Sequence, residues 1–447
     1  MQGLGLRSLA GNSMATLFRQ LASAVIQLGT VVIVARLFGP DGNGTYAIAV
    51  LVPTLLATFL NLGLAPANVY HLGGKKINVA LAWKTSLKAA FLISPAGLII
   101  GGLAIILLGE TFFQGVDKRF LWLSLASFPL LLLIAFMSSI FQGIGEFRRF
   151  NTLMLLQPTL TLILILLGLG CGWVSLIYII SAYTTAAMLS FFWGLYLLHG
   201  LLKKEPLDTH QCGESYIKKA FLYGYKAHLS NILTFLNYRL DMFLVNAFLG
   251  PASTGVYLIA VQLSERMWLL SQSVSTVLLP KLSELSDLDE RKRQLTGIVA
   301  RWMFVVAFFA SAFLAAIAFP LINILFGSQY VEAVVTLMLL LPGVVFGSAL
   351  KVLANDIAAR GRPGLNMVTS LVVVAVNVAL NVILIPLMGI EGAAISTSAA
   401  YFVSFMLCLV IQARISRGSV LATVTPNQDD IRIIKWTFES IRRKVRG

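Results

Sequence analysis

Twelve apolar runs, each close to the length needed to cross a bilayer, leave this 447-residue chain little room for anything else. A helix rises 1.5 Å per residue, so about 20 residues cross roughly 30 Å of hydrocarbon. The runs lie at 15–38, 45–66, 86–108, 120–141, 152–170, 174–198, 222–248, 254–279, 299–326, 333–353, 364–387 and 391–413. Lipid offers the backbone no hydrogen-bond partner, so each run must satisfy its own amides as a helix. Composition closes off a soluble fold. Charged residues are 12% of the chain and mean hydropathy is +0.85, whereas a soluble domain carries about 25% charge. The expected class is an all-α integral membrane protein of about 12 transmembrane helices. Arg19 interrupts the first run and no small-residue cleavage site follows, so this run does not read as a secretory signal.

The gaps between runs alternate in charge. One set is basic: Lys75, Lys76 and Lys84; Arg148 and Arg149; Lys203, Lys204, Lys218 and Lys219; Lys281, Arg291, Lys292 and Arg293; Arg360 and Arg362; and the tail. The other set is short, with only Arg36, Lys118 and Arg119. Basic loops stay on the cytoplasmic side, which predicts a multi-pass plasma (inner) membrane protein with both termini cytoplasmic. The net charge of +15 is then a topology signal, not a nucleic-acid footprint. The longest outer loop, near Glu110 to Arg119, is too small for a catalytic domain, so no enzyme is expected. The charged stretch from Lys281 to Gln294 reads as a linker. Beyond Pro426, Ile431, Ile434, Phe438, Ile441 and Val445 recur at helical spacing among basic residues, as in an amphipathic helix lying on the inner leaflet.

An internal repeat organises the chain. LFGPDGNGTYAIAV at 37–50 is echoed by FLGPASTGVYLIAV at 248–261, pairing Gly39 with Gly250, Pro40 with Pro251, Gly44 with Gly255 and Tyr46 with Tyr257. A weaker echo links the turns 145–151 and 361–366. Six spans separate the copies, so both halves enter the membrane in the same sense, as in secondary transporters built from parallel repeats. The predicted parts are a six-helix lobe at 1–200, a cytoplasmic linker at 201–221, a second lobe at 222–413 and a basic tail at 414–447, with a central cavity between the lobes. The Gly-Pro turn would cap the outer ends of helices that must part.

Charges inside spans are costly and mark function. Arg19 lies in the first span; Asn231, Asn237, Tyr238, Arg239 and Asp241 in the seventh; Gln262, Glu265 and Arg266 near the middle of the eighth. Asn61 is expected toward the outer end of the second span, and Asn377 and Asn381 are milder polar residues of the eleventh. Arginine holds a fixed charge in a planar fork suited to phosphate and carboxylate. Arg19, Arg239, Arg266, Asn61 and Asn237 are therefore the candidate substrate contacts. Asp241 and Glu265 are candidates for ion coupling or for ion pairs with Arg239 and Arg266; a structural pair such as Glu265 with Arg239 is the plainer alternative. Pro53, Pro95, Pro129, Pro158, Pro320 and Pro342 sit within spans, as hinges or tolerated kinks. No Walker, HExxH or GxSxG motif occurs. Cys171, Cys212 and Cys408, with His71, His199, His210 and His228, are too scattered for a metal site or a disulfide framework, and no cofactor is expected.

The stretch 11–66, with ARLFGPDGNGTY at 35–46 followed by NLGL from Asn61, resembles the polysaccharide transporter (Wzx-type O-antigen flippase) branch of the multidrug/oligosaccharidyl-lipid/polysaccharide exporter superfamily. The second copy at 249–257 and the Ala-x-Gly-Arg-Pro turn at 359–363 fit the same branch. The resemblance implies two six-helix lobes in a V around a cavity. It implies passage of a polyprenyl-diphosphate-linked oligosaccharide from the inner to the outer leaflet, driven by H+ or Na+. Polysaccharide polymerase and chain-length proteins are candidate partners, and Arg19 and Arg266 match positions where such proteins place cavity arginines. Twelve spans differ from the fourteen usual in peptidoglycan-precursor flippases. The rivals are a multidrug cation antiporter of the same superfamily, whose cavity would be acidic, and a membrane polysaccharide polymerase or ligase, which would need a large outer loop.

Overall fold

A computed structural model of the chain describes residues 2–203, 213–269 and 289–416, together with 271, 272, 274, 278, 282, 419, 420 and 425. The tail helix expected over 429–446 and the linker residues 204–212 lie outside the described residues. The order is α1 (Gln2–Leu60), α2 (Leu64–Gly73), α3 (Val79–Leu107), α4 (Lys118–Leu125), α5 (Phe128–Gly143), α6 (Phe147–Gly170), α7 (Leu176–Leu202), α8 (Gly213–Arg266), α9 (Asp289–Phe326), a 3₁₀ turn (Ser328–Tyr330), α10 (Glu332–Ala359) and α11 (Pro363–Ile415). Among the described residues, nine helical stretches are long and apolar enough to cross a membrane.

Three of these stretches are too long for one crossing, and each is broken by a glycine. Gly39 (φ 65°), Gly250 (φ 79°) and Gly389 (φ 63°) leave the helical region inside α1, α8 and α11. A β-carbon opposes that conformation, so glycine stands there. In the first two breaks proline follows at once. Its fixed φ and missing N–H suit the first position of a new helix. Glycine thus ends one helix and proline begins the next without a loop. Divided at these glycines, the nine stretches make twelve apolar segments.

The exposed surface is as apolar as the core, and selected polar side chains lie inside. Phe91, Leu92 and Leu387 are among the most exposed side chains, while Asn43, Asn68, Asn246, Thr254 and Asn381 are fully buried. Hydrocarbon solvates the first group, and only the bundle interior can pair the second.

The chain divides into two compact units. The first is Met1–Ile259 with Ile322–Ala333 and Ile385–Ile390; the second is Ala260–Leu321, Val334–Leu384 and Glu391–Gly447. In the first, α6 packs on α7 and α1, and α5 on α2 and α3. Its core includes Leu72, Ile134, Met137, Phe141, Leu153 and Leu198. The core of the second includes Val352, Leu353, Ile357, Phe405, Cys408 and Leu409. The short pieces 322–333 and 385–390 belong to the first unit because they pack against the turns at Gly39 and Gly250.

Within the first unit, α2 is fastened to the start of α8 by a buried polar node. Asn68 Nδ2 donates to Ser86 Oγ (3.0 Å) and Ser139 Oγ (3.2 Å), and Tyr216 OH donates to Asn68 Oδ1 (2.8 Å). Ser139 spends its own proton on the Phe136 carbonyl, so it can only accept from Asn68, which fixes the amide's orientation. Nearby the backbones touch: a Cβ on Gly63 would lie 2.4 Å from Gly224 O, and one on Gly224 2.2 Å from Gly63 O. Tyr70 stacks on Tyr223 at 4.0 Å, and His71 meets Tyr70, Tyr216 and Tyr223 edge-on. Burial, then Lys76 and Lys219, lower the His71 pKa from its usual value.

Two outcomes follow from this node. Tyr216→Phe orphans a buried acceptor and should cost about 1–3 kcal/mol, read as a lowered midpoint of thermal unfolding in detergent. The neutral His71 ring contributes stability that is present above about pH 6.5 and is lost as pH falls toward its lowered folded pKa. His71→Gln should therefore flatten the decline of that midpoint with acidification.

Candidate functional site

The two repeat turns meet each other. A Cβ on Gly44 would lie 1.8 Å from Pro251 O, and one on Gly255, its repeat mate, 2.0 Å from Pro40 O, the mate of Pro251. The contact is reciprocal, as a local two-fold relation between the copies demands. No β-carbon fits at either position. Asn43 Nδ2 adds a hydrogen bond to Gly255 O at 3.0 Å. Other short turns close around this pair. Arg36 donates to the carbonyls of Leu325 (2.8 Å) and Ile324, capping the end of α9. Tyr330 OH and Gln329 Nε2 reach Ala35 O at 3.2 and 3.4 Å. Fully buried Asn246 donates to Phe112 O and Gln114 O, and its own oxygen accepts from Thr254. The turns expected to be outer are thus knitted into one hydrogen-bonded junction.

The expected site residues are placed as follows. Arg19 is half-buried with its guanidinium 5.7 Å from the Phe150 ring. It lines a hollow of about 300 Å³ with Arg148, Asn151 and Thr152, and its buried Nε has no hydrogen-bond partner among the described residues. Asn61 is displaced from expectation. It lies at the end of its helix segment away from Gly39, beside the Gly63–Gly224 contact, not toward the end that carries the Gly-Pro turn. A segment running from Gly39 to Leu60 spans about 30 Å and so delivers Asn61 to the opposite side. Both ends of its amide serve the local turn, Nδ2 to Thr58 O and Oδ1 from Gly63 N. Asn237 keeps a buried Oδ1 without a hydrogen-bond partner among the described residues. Arg239 Nη1 donates to the Tyr238 carbonyl.

Asp241 is almost completely buried, and its Oδ2 accepts from Tyr257 OH at 2.5 Å while Oδ1 accepts from Met242 N. This carboxylate–phenol bond ties the two segments of α8 together, as does the Thr254–Asn246 bond. Tyr257 stood in the repeat signature without an assigned role. In the second unit, Arg266 Nη2 donates to Gln262 Oε1 at 3.2 Å. α8 ends at Arg266 in a turn at Met267, and the matching stretch of α1 carries Pro53.

Sequence reasoning passed over Lys351. Its ammonium lies 4.8 Å from the Trp268 ring and donates to Gln272 Oε1, and the Glu265 carboxylate acts on it through space. A basic residue near a span end looks like a topology signal, so only tertiary packing reveals this cluster. The same holds for Asp356, which takes Arg360 on both oxygens (3.1 and 3.0 Å) and Gln412 on Oδ2. That node clamps the 359–363 turn. Asn381 donates to Asn377, which donates to Thr397, leaving buried Asn381 Oδ1 without a partner.

The family model described as "Polysaccharide biosynthesis protein" matches residues 33–335. The chain belongs to that family. It is 25% identical over 221 residues to the probable low-salt glycan biosynthesis flippase Agl15 of Haloferax volcanii, covering 48% of this chain and 44% of that protein. The chain thus spans less than half the length of that relative. It is 23% identical to an uncharacterized membrane protein, MJ1375, of Methanocaldococcus jannaschii over 92% of this chain and 99% of the other. Its fold is similar to that of the lipid II flippase MurJ in an inward closed conformation, with TM-score 0.75 and 18% identity over 92% of this chain and 88% of that one. The polysaccharide family expected from the residues is the one matched, and the chain is a multi-pass membrane protein with the fold of these transporters.

A methyl group at Gly44 or Gly255 has no room beside a backbone carbonyl, and such overpacking costs about 1–3 kcal/mol. Gly255→Ala should open the junction and speed labelling of a Thr254→Cys reporter by a membrane-impermeant maleimide about tenfold. Gly250→Ala is not a matched control, because strain at φ 79° is a separate effect. Gly364→Ala, where nothing lies within 4 Å of the new methyl, should leave labelling unchanged.

Proposed function

We propose that this protein moves a polyprenyl-diphosphate-linked oligosaccharide, such as an O-antigen or exopolysaccharide repeat unit, from the inner to the outer leaflet by alternating access. The observation that carries the reading is the reciprocal glycine contact between the repeat turns. At its centre backbone rests on backbone, and side-chain hydrogen bonds such as Asn43 Nδ2 to Gly255 O fasten its rim, so the proposed repeat-related lobes (1–200 and 222–413) part there by exchanging hydrogen bonds, without unfolding. The location is the plasma (inner) membrane with both termini cytoplasmic, which the alternation of basic and neutral loops supports.

A diphosphate needs fixed positive charge at membrane depth, and Arg19, Arg239 and Arg266 supply it. Asn237, with an unsatisfied buried oxygen, is positioned for a sugar hydroxyl. Asn61 leaves the set, since its amide is consumed by its own turn. Asp241 and Glu265 are the proposed coupling carboxylates for H+ or Na+. The first accepts a hydrogen bond from Tyr257, and the charge of the second acts on Lys351. Polysaccharide polymerase and chain-length proteins are the proposed downstream partners.

The test uses proteoliposomes holding a fluorescent polyprenyl-diphosphate oligosaccharide in both leaflets. An impermeant quencher should reach the inner pool only when protein is present. Arg266→Ala should slow this at least tenfold, about 1.4 kcal/mol or more, with an unchanged unfolding midpoint. If the lipid does not exchange and a cationic dye is expelled under a proton gradient, the protein is a cation antiporter instead.

A further inference from the structure

The outward face of α3 carries a feature that the transport reading does not use. Near its middle, α3 is pressed against its neighbours: a Cβ on Gly97 would lie 2.3 Å from the Phe128 ring, and one on Gly101 2.6 Å from Leu125 Cδ1. Toward the N-terminal half the inner face stays buried through Ala82, Thr85, Ser86 and Ala90, while the outward face at Leu87, Phe91 and Leu92 is left open. Pro95 has no N–H, so the Phe91 carbonyl loses its helical donor and α3 is free to bend. The result is an open, almost wholly apolar groove of about 710 Å³, lined by Leu87, Lys88, Phe91, Leu92, Pro95 and Leu133. Leu87, Phe91 and Leu92 are exposed to the membrane.

One lining residue does not fit an apolar groove. Lys88 is exposed on the lipid side about 13 Å along the helix from its start at Val79. Lys84 stands one turn nearer the start, on the same face and also exposed. Among the described residues neither lysine has a hydrogen-bond or ion-pair partner. Ammonium groups at that depth must snorkel toward the headgroups and find counter-charge there. Lys75 and Lys76, in the connection just before α3, add to the positive potential on that side.

We propose that this groove is a specific site for an anionic phospholipid. One acyl chain fills the gap between α3 and α5 below Pro95, and the phosphate is held by Lys88 and Lys84. Basic pockets between transmembrane helices hold anionic headgroups in this way, each lysine contributing about 1 kcal/mol. Zwitterionic lipid would fill the same apolar space but gain little from the lysines. The site does not depend on what the protein transports.

The experiment is native mass spectrometry of the full chain in detergent, titrated with phosphatidylglycerol or phosphatidylcholine of matched chains. Phosphatidylglycerol should be retained preferentially. The Lys84→Ala/Lys88→Ala pair should reduce that preference roughly twenty-five-fold, about five-fold per lysine, while the Lys84→Arg/Lys88→Arg pair preserves it. Leu133→Trp, which fills the groove and keeps both charges, should also weaken binding. Equal retention of the two lipids, or no loss in the double alanine variant, overturns the proposal. So does competition by glycerol 3-phosphate as strong as that by the whole lipid, because the groove would then contribute nothing. A double alanine variant that fails to fold leaves the lipid preference of the native chain and the Leu133→Trp variant to decide.

Discussion

Everything at one end of this molecule depends on two places where backbone rests on backbone without a side chain between. Gly44 against the Pro251 carbonyl and Gly255 against the Pro40 carbonyl are mutual. Around them, the capping of α9 by Arg36, the bonds of Tyr330 and Gln329 to Ala35, and the Asn246 bonds to the 112–114 loop all fall into place. A glycine contact of this kind is tight when closed, and what must disengage around it is a small set of hydrogen bonds such as Asn43 to Gly255 O. That combination suits a junction that must open and reclose, and it is why the same short motif stands in both halves.

The other end is fastened differently. Asn68 is fully buried and uses its amide on two serines and a tyrosine, so separating α2 from α8 would expose a complete polar network. Buried polar networks rigidify and specify when every member is satisfied. Gly63 and Gly224 bring the two helices close enough for those bonds to form. The polar keys inside the bundle and the apolar residues outside it obey one rule: hydrocarbon accepts side chains such as Phe91 and rejects an unpaired amide.

The intramembrane charges show how local sequence and packing divide the task. That Asp241 and Glu265 need partners follows from their place in apolar runs. Which partners they take is a matter of helix rotation. Asp241 meets Tyr257, sixteen residues away across the Gly250 break, and the Glu265 carboxylate acts electrostatically on Lys351 of another helix. The Tyr257 phenol locks the Asp241 carboxylate in place across the break. Arg239 and Arg266 make polar contacts within their own helix.

Sequence by itself determined the solvent, the class and the repeat. Apolar length is set by bilayer thickness, and Gly-Pro at 39–40 and 250–251 announces a helix break because only glycine tolerates the left-handed turn and proline suits the helix start. These are local consequences of residue type, so they can be read from a string of letters. Tertiary structure alone decided that Gly44 and Gly255 face the carbonyls of each other's turns, that Asn61 sits at the far end of its segment serving its own turn, and that Lys351, Asp356 and Tyr257 hold partners. Those facts depend on the rotation and register of whole helices. A 3.6-residue period leaves that rotation undetermined when nearly every face is apolar.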